Sequence, residues 1–239
     1  MSWGVYAGVF VVVVVASTVQ SSVGMGHGLI AAPLLRLLHP DLLPGPIVMA
    51  GFFVSVGLAA RNSRRSDLVE VVPALVGRVF GIGIALGLLA MLSEGGLTIV
   101  IGAIVLATVA LRLLGFEVVR STRSLTVAGV ASGVGGAIAA LGGAPMGLLY
   151  EQHSSAREFR GPMGAFLAVG AFITVVSLVI FGELDGEAAL LGMTLLPPIV
   201  VGWVLARWVT PFVDRGLLRP AVFALSASAA IVLIVGELV

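Results

Sequence analysis

The sequence predicts an all-α polytopic membrane protein made of two inverted repeats. Its composition is the first reason: apolar residues make up 59% of the 239-residue chain and charged residues 10%, against about 45–50% and about 25% in soluble domains. With 13 basic and 12 acidic side chains, the chain cannot cover a soluble particle of this size, so its surface is expected to face lipid. The second reason is the recurrence of long apolar stretches between short Gly/Pro breaks. The third is that the order of these breaks repeats.

Eight apolar stretches are long enough to cross a bilayer as helices, at about 20 residues per crossing. They lie at 3–20, 44–60, 68–92, 96–114, 125–140, 161–182, 187–209 and 217–238. The first is expected to be a retained helix rather than a signal peptide, because no basic residue precedes Arg36. Two shorter stretches, 28–38 and 146–153, each follow a Gly-rich break. Eleven residues at about 1.5 Å each reach only about half of a 30 Å hydrocarbon core, so these are predicted to be half-helices.

The breaks divide the chain into a first repeat, 1–119, and a second repeat, 120–239, with no soluble domain. Each repeat is predicted to hold one Gly-broken pair of a helix and a half-helix, followed by three long helices. Both contain, in the same order, a Gly-rich break, a Gly-Pro pair that opens a helix, and Pro-x-x-x-Gly in the helix after. These features lie at 24–28, 45–46 and 73–77 in the first repeat and at 141–145, 161–162 and 198–202 in the second.

The distribution of arginine predicts the topology, because all 13 basic residues are Arg. If only the long helices crossed, the loop arginines would divide six to six. If each half-helix returns through the membrane, eleven arginines fall on one side, Arg36 falls on the other and Arg78 lies inside. The positive-inside rule favours the second arrangement. It places loops 61–65, 115–124 and 210–216 in the cytoplasm, and both termini and loop 182–187 outside, so that the two halves are inverted.

Two blocks resemble the paired signature of the TauE/SafE sulfite exporter family, also called the 4-toluene sulfonate uptake permease family. They are GMGHGLIAAPLL (Gly24–Leu35) and LGGAPMGLLYEQHSSAREFRGPM (Leu141–Met163). His27 stands where the family has a glycine, Ala140 where the second block usually opens with Gly, and Ala144 in place of a proline. The resemblance implies an alternating-access secondary transporter that exports small sulfur-containing anions, such as sulfite or organosulfonates, across the cytoplasmic membrane of bacterial type.

The two breaks predict an anion site. A half-helix that starts after a glycine break points its free N–H groups and the positive end of its dipole at the space in front of it. Transporters with inverted repeats bind their substrates between such broken helices. The candidate substrate-binding residues are Gly24, Gly26, His27, Gly28, Arg78, Gly142, Gly143 and Pro145, and Arg160 in the family's Phe-Arg element is a candidate gate.

Each of these residues also has a purely structural reading. The glycines could serve only close helix packing, and Arg78 could donate to carbonyls freed at a break. An intramembrane arginine costs at least about 2.5–3.5 kcal/mol on insertion scales, which favours a functional role for it. His27 could donate to an oxyanion or titrate near neutral pH, or be a satisfied structural residue. Gln20, Ser21 and Ser22 could donate to the anion or cap a helix end, and Arg160 could merely set orientation.

Other functions are less well supported by the sequence. The chain has no Cys and shows no catalytic residue set, metal-ligand cluster or nucleotide loop, so no enzyme activity, cofactor or metal is expected. The net charge of +1 gives no reason to expect nucleic acid. The expected partners are a small anion, the lipid bilayer and a second copy of the chain in a homodimer. Two alternatives stay open: a passive anion channel, and a transporter of the same family for a different small anion or carboxylate.

Overall fold

The computed structural model describes residues 2–114, 118–150, 156–213 and 219–238. Within these residues the fold is entirely helical, which confirms the predicted class. The helices are α1 (Trp3–Val23), α2 (His27–Leu38), a 3-10 turn (Pro40–Leu42), α3 (Gly45–Asn62), α4 (Arg65–Met91), α5 (Glu94–Leu113), α6 (Thr122–Ala139), α7 (Gly143–Tyr150), α8 (Ala156–Ile180), α9 (Gly186–Met193), α10 (Leu196–Val213) and α11 (Arg219–Leu238).

Six segments of the described chain are long and apolar enough to cross a membrane. They are Trp3–Val23, Gly45–Asn62, Arg65–Met91, Glu94–Leu111, Glu158–Ile180 and Gly186–Phe212. Large apolar side chains on these segments face outward; Phe80 is 67% exposed and Ile180 is 72% exposed. Such a surface is stable only against lipid. The chain is therefore a multi-pass membrane protein. The predicted half-helices correspond to α2 and α7, which begin inside the Gly-rich runs, at His27 and Gly143; the predicted end of the second, 151–153, lies outside the described residues.

The predicted long helix at 187–209 is wrong in one respect, because it divides into α9 and α10. The α-helical hydrogen bonds stop at Thr194, whose hydroxyl donates to the Leu191 carbonyl over 2.6 Å. Pro197 and Pro198 follow at once, and neither has an N–H to continue the ladder. Proline is tolerated in the first turn of a helix, so α10 begins at Leu196.

Helices of one half pack mainly on helices of the other. The closest pair is α4 with α6, and α1 packs on α10, α3 on α8 and α5 on α11. Glycines allow the backbones to approach: a Cβ on Gly81 would lie 2.9 Å from Gly133 Cα, and one on Gly202 would lie 2.7 Å from Ser17 Cβ. Exchanging the halves maps these pairs onto one another. The repeat boundary and the inversion remain predictions, and this pairing supports them.

Loops from both halves meet at each end of the helix bundle. At one end Arg61, Arg64, Arg120 and Glu158 border a cavity of about 600 Å³. At the other end the 3-10 turn meets the start of α9, around a cavity of about 700 Å³ bordered by His39, Asp41, Asp185 and Glu187. This grouping of the loops is the one expected if each half-helix returns to the side of the membrane on which the helix before it begins. Which end faces the cytoplasm stays a prediction.

Candidate functional site

The first break reverses the chain between α1 and α2 through two left-handed glycines. Gly24 has φ +104° and Gly26 has φ +117°, a region that side chains other than glycine rarely adopt. Gly24 also lies under the ring of Phe159, where an added Cβ would be 2.8 Å from Cε1, and a Cβ on Gly26 would be 3.1 Å from Val19. The break is therefore fixed by backbone conformation and by close packing together.

The second break uses an alanine for the same reversal. Ala140, with φ +55° and ψ +23°, follows the last residue of α6 in the left-handed region, the usual position of a C-terminal glycine. The N–H of Leu141 donates to the Gly135 carbonyl over 2.9 Å, which closes the end of α6. This left-handed conformation favours glycine, and it leaves Ala140 with backbone strain.

The two breaks lie against each other. A Cβ on Gly28 would come within 2.8 Å of the Ala139 carbonyl oxygen, and one on Gly143 would lie 2.9 Å from Met25 Cβ. The buried ring of His27 is near Gly51 of α3, whose added Cβ would be 3.8 Å from Cδ2 and 3.4 Å from Ala140 Cβ. The glycines predicted to converge are thus neighbours in space.

Arg78 lies on α4 beside this junction and is 2% exposed. Its Nη1 donates to the Ser132 hydroxyl over 3.2 Å and its Nη2 to the Thr174 hydroxyl over 3.3 Å. Its Cζ stands 5.2 Å from the centre of the Phe166 ring, within range of a cation–π contact. Its Nε has no partner. Its partners are hydroxyls and an aromatic ring, none of which neutralises the charge.

No ion pair joins Arg78 to an acidic side chain anywhere in the described part of the chain. The ion pairs of the described residues include Arg36 with Glu94 and Arg120 with Glu70, and neither involves Arg78. A buried charge is normally paired, because leaving water costs it several kcal/mol. Among the described residues, Arg78 is therefore a buried cation without an acidic partner.

Three glycines make room for the guanidinium of Arg78. An added Cβ on Gly142 would lie 2.5 Å from Nη1, one on Gly136 would lie 2.8 Å from Nη2, and one on Gly170 would lie 2.5 Å from Nε. The Ser132 hydroxyl also donates to the Gly142 carbonyl. The guanidinium is thereby packed against the backbone of three glycines. Ser132 accepts from it and donates to Gly142, which connects it to the second break.

Gly136, Gly142 and Gly170 together form what we call the glycine cradle of Arg78. A small cavity of about 20 Å³ lies beside it. It is lined by Gln20, Val48, Gly51, Ser55, Arg78, Gly136, Ala140, Gly142, Leu167 and Ala171. This volume holds about one water-sized group, so a sulfur oxyanion requires the surrounding helices to separate slightly. The second break contributes to the lining through Ala140 and Gly142, whereas on the side of the first break only Gln20, in the last turn of α1, lines the cavity.

Of the eight predicted substrate-binding residues, only Arg78 and Gly142 line this cavity. The other six do not line it: Gly24, Gly26, His27, Gly28, Gly143 and Pro145. Pro145 is the third residue of α7 and is partly exposed. Arg160 lies inside α8 rather than in a loop and is 5% exposed; its Nε donates to the Ser22 carbonyl over 2.6 Å. Arg160 thus ties α8 to the end of α1. His153 lies outside the described residues.

Several lining and anchoring residues were not predicted as site residues. Gly51 and Ser55 on α3, Ser132 and Gly136 on α6, and Gly170 and Thr174 on α8 all form glycine–hydroxyl pairs four residues apart. This spacing puts both members of a pair on one face of a helix. A search for such pairs in apolar segments would have found all three.

Chemically, the arrangement can hold an anion. It offers a guanidinium, hydroxyl groups, an amide and helix starts, which are donors suited to an oxyanion. No group of three or more metal-ligating side chains occurs in the described ranges.

Comparison with known proteins gives one match. A family model described as sulfite exporter TauE/SafE matches residues 9–233, almost the whole chain. The search of curated proteins and the search of solved structures each returned no match.

Proposed function

Because the chain belongs to the TauE/SafE sulfite exporter family, we propose that it moves sulfite or a closely related sulfur oxyanion by alternating access around Arg78. The family consists of membrane transporters of sulfite and similar anions, so the chain is a transport protein and not an enzyme. A bacterial-type cytoplasmic membrane is the proposed location, in keeping with the concentration of arginine at one predicted face.

The observation that carries the proposal is a buried cation that has no counter-ion among the described residues. Arg78 is almost completely enclosed, its hydrogen bonds go only to two hydroxyls, and its Nε is unpartnered. A planar guanidinium is suited to oxyanions because it offers a fixed fork of donors. An anion in the neighbouring cavity would neutralise the charge and use the free donor, which favours Arg78 as the main substrate ligand.

Alternating access is favoured over a passive channel by the enclosure of the cavity. On the side of the arginine-rich end, a packed apolar cluster includes Met146, Phe159, Met163 and Phe166. A second, larger cluster lies around α2 and α3. It includes Val9 and Val13 of α1 and Ile101 and Val105 of α5. With apolar packing on both sides and a volume near 20 Å³, conduction would need helix movement on every passage. We therefore propose that the two sides open in turn.

The test is anion flux in proteoliposomes that contain the full chain. Sulfite should enter with saturable kinetics, and internal unlabelled sulfite should accelerate entry of labelled sulfite. Sulfate, thiosulfate, sulfoacetate and taurine should be tested as competitors, which also identifies the substrate. Flux that rises linearly with concentration and shows no counterflow would overturn the transporter in favour of a channel.

A matched pair of variants links this flux to the site. Arg78→Lys keeps the charge, but a single ammonium cannot reach both hydroxyls and also present a planar fork to the anion. We expect at least a tenfold slower sulfite flux at equal protein content, from the loss of about 1.5 kcal/mol or more for one charged hydrogen bond. Arg207→Lys, on an exposed position of α10, should transport like the wild type. Equal flux in both variants would contradict the proposed role of Arg78.

A further inference from the structure

Gln20 stands between the first break and the cavity, on the last turn of α1. It is 5% exposed and lines the cavity beside Arg78. Its Oε1 accepts the backbone N–H of His27, the first residue of α2, over 3.1 Å. Its Nε2 donates to the Ser55 hydroxyl of α3 over 3.0 Å. One side chain thus joins the end of α1, the start of α2 and the middle of α3.

The neighbours of Gln20 fix which way its amide points. The N–H of His27 is a donor only, so the atom facing it must be the amide oxygen. The Ser55 hydroxyl donates its own hydrogen to the Gly51 carbonyl over 2.6 Å, so towards Gln20 it acts as an acceptor. Both contacts therefore require the same orientation, with the NH₂ group directed to Ser55 and the cavity.

We propose that Gln20 is a direct ligand of the transported anion and connects the start of α2 to it. A primary amide carries two N–H bonds and Ser55 takes one, so the other is left for the cavity that Gln20 lines. The helix N–H behind Oε1 polarises the amide, which strengthens its donors. The positive end of α2 thereby acts on the anion through a side chain, in the cavity that Arg78 also lines. This assignment rests on the proposed function of the cavity.

The substitution Gln20→Glu separates the binding role from the structural one. The new carboxylate still accepts the His27 N–H at the start of α2, where negative charge is favourable, but it loses the hydrogen bond to Ser55. The thermal melting temperature should therefore fall by only a few degrees, the cost of about one hydrogen bond. The carboxylate presents no donor to the cavity and adds a negative charge that would compete for Arg78. Sulfite affinity, measured calorimetrically at pH 8 in detergent, should fall by about tenfold to a hundredfold or more.

Ser21→Ala is the matched control. Ser21 is the neighbouring polar residue, its hydroxyl has no partner, and it does not line the cavity, so affinity should remain within about twofold. Wild-type affinity in Gln20→Glu would overturn the assignment of Gln20 and leave the transporter intact. Absence of sulfite binding in the wild type itself would overturn the proposed function and this assignment with it.

A second measurement avoids any change to Gln20. The chain contains two glutamines, Gln20 and Gln152, so the Gln152→Asn protein labelled with side-chain ¹⁵N-glutamine gives one NH₂ signal pair. Addition of sulfite should move one of its two protons strongly downfield, as expected for a new hydrogen bond to an anion. Sulfite binding that leaves both protons unmoved would overturn the assignment, whatever the stability of Gln20→Glu.

Discussion

Gly170→Ala tests whether the position of the Arg78 guanidinium matters, as distinct from its charge. Gly170 lies on α8 directly beneath the side chain, and its added Cβ would be 2.5 Å from Nε and 2.6 Å from Cδ. Ordinary contacts between such atoms are about 3.5 Å. The arginine therefore has to move by about 1 Å, and it can do so, because it is a long side chain rather than backbone.

The size of the effect follows from the two hydrogen bonds that hold the guanidinium. At 3.2 and 3.3 Å both are already at the long end of the range for N–H···O, so a shift of about 1 Å breaks at least one. A hydrogen bond to a charged group contributes about 1.5–3 kcal/mol. If the anion relies on the present geometry, sulfite binding should weaken by about tenfold to a hundredfold, because each 1.4 kcal/mol is a factor of ten.

The assay is calorimetric sulfite binding beside thermal melting of the same preparations. Gly83→Ala is the control, because Gly83 lies on α4 with nothing within 4 Å of its added Cβ. It should bind sulfite normally and gain up to about 1 kcal/mol of helix stability. Wild-type sulfite affinity in Gly170→Ala, with the fold intact, would refute the reasoning that the cradle positions Arg78.

Two further predictions concern the second break and the topology. Ala140→Gly should raise the melting temperature, because it relieves a left-handed alanine that costs about 1–2 kcal/mol, less the added chain entropy of glycine; a lower melting temperature would show that Ala140 is unstrained. Ser63→Cys should react with a membrane-impermeant thiol reagent only from the cytoplasmic side, and Asp185→Cys only from outside. The native chain has no cysteine, so each label reports one position, and the opposite pattern would contradict the predicted orientation.

Those features that depend on local sequence could be predicted. Composition alone indicates a membrane protein, since 10% charged residues cannot solvate its surface. The glycine run at 24–28 marks the first break, where Gly24 and Gly26 are left-handed, and the run at 141–145 directly follows the left-handed Ala140 of the second break. Arg78 was recognisable as a candidate ligand because an arginine in the middle of an apolar helix needs compensation.

Features that depend on contacts between distant segments could not be predicted. The cradle of Arg78 brings together Gly136 of α6, Gly142 of the second break and Gly170 of α8, and no sequence spacing relates these helices. From the sequence Gln20 could equally have been a helix cap or an anion donor, and only its contacts with His27 and Ser55 fix the direction of its amide, on which the proposed role as a ligand rests. The division between α9 and α10 was missed because a Pro-Pro pair is compatible with a kinked helix as well as with a new one.

The central claim is that Arg78 binds the transported anion. Arg78→Met removes the charge and leaves the site otherwise satisfied, because Ser132 still donates to the Gly142 carbonyl and Thr174 to the Gly170 carbonyl over 2.8 Å. The fold should remain as stable or gain stability, since a buried cation is lost. The most direct measurement is sulfite binding to this variant beside the wild type. We predict that binding falls more than about a hundredfold, from the loss of two or more charged hydrogen bonds, without a drop in melting temperature. Wild-type affinity in Arg78→Met would contradict the account.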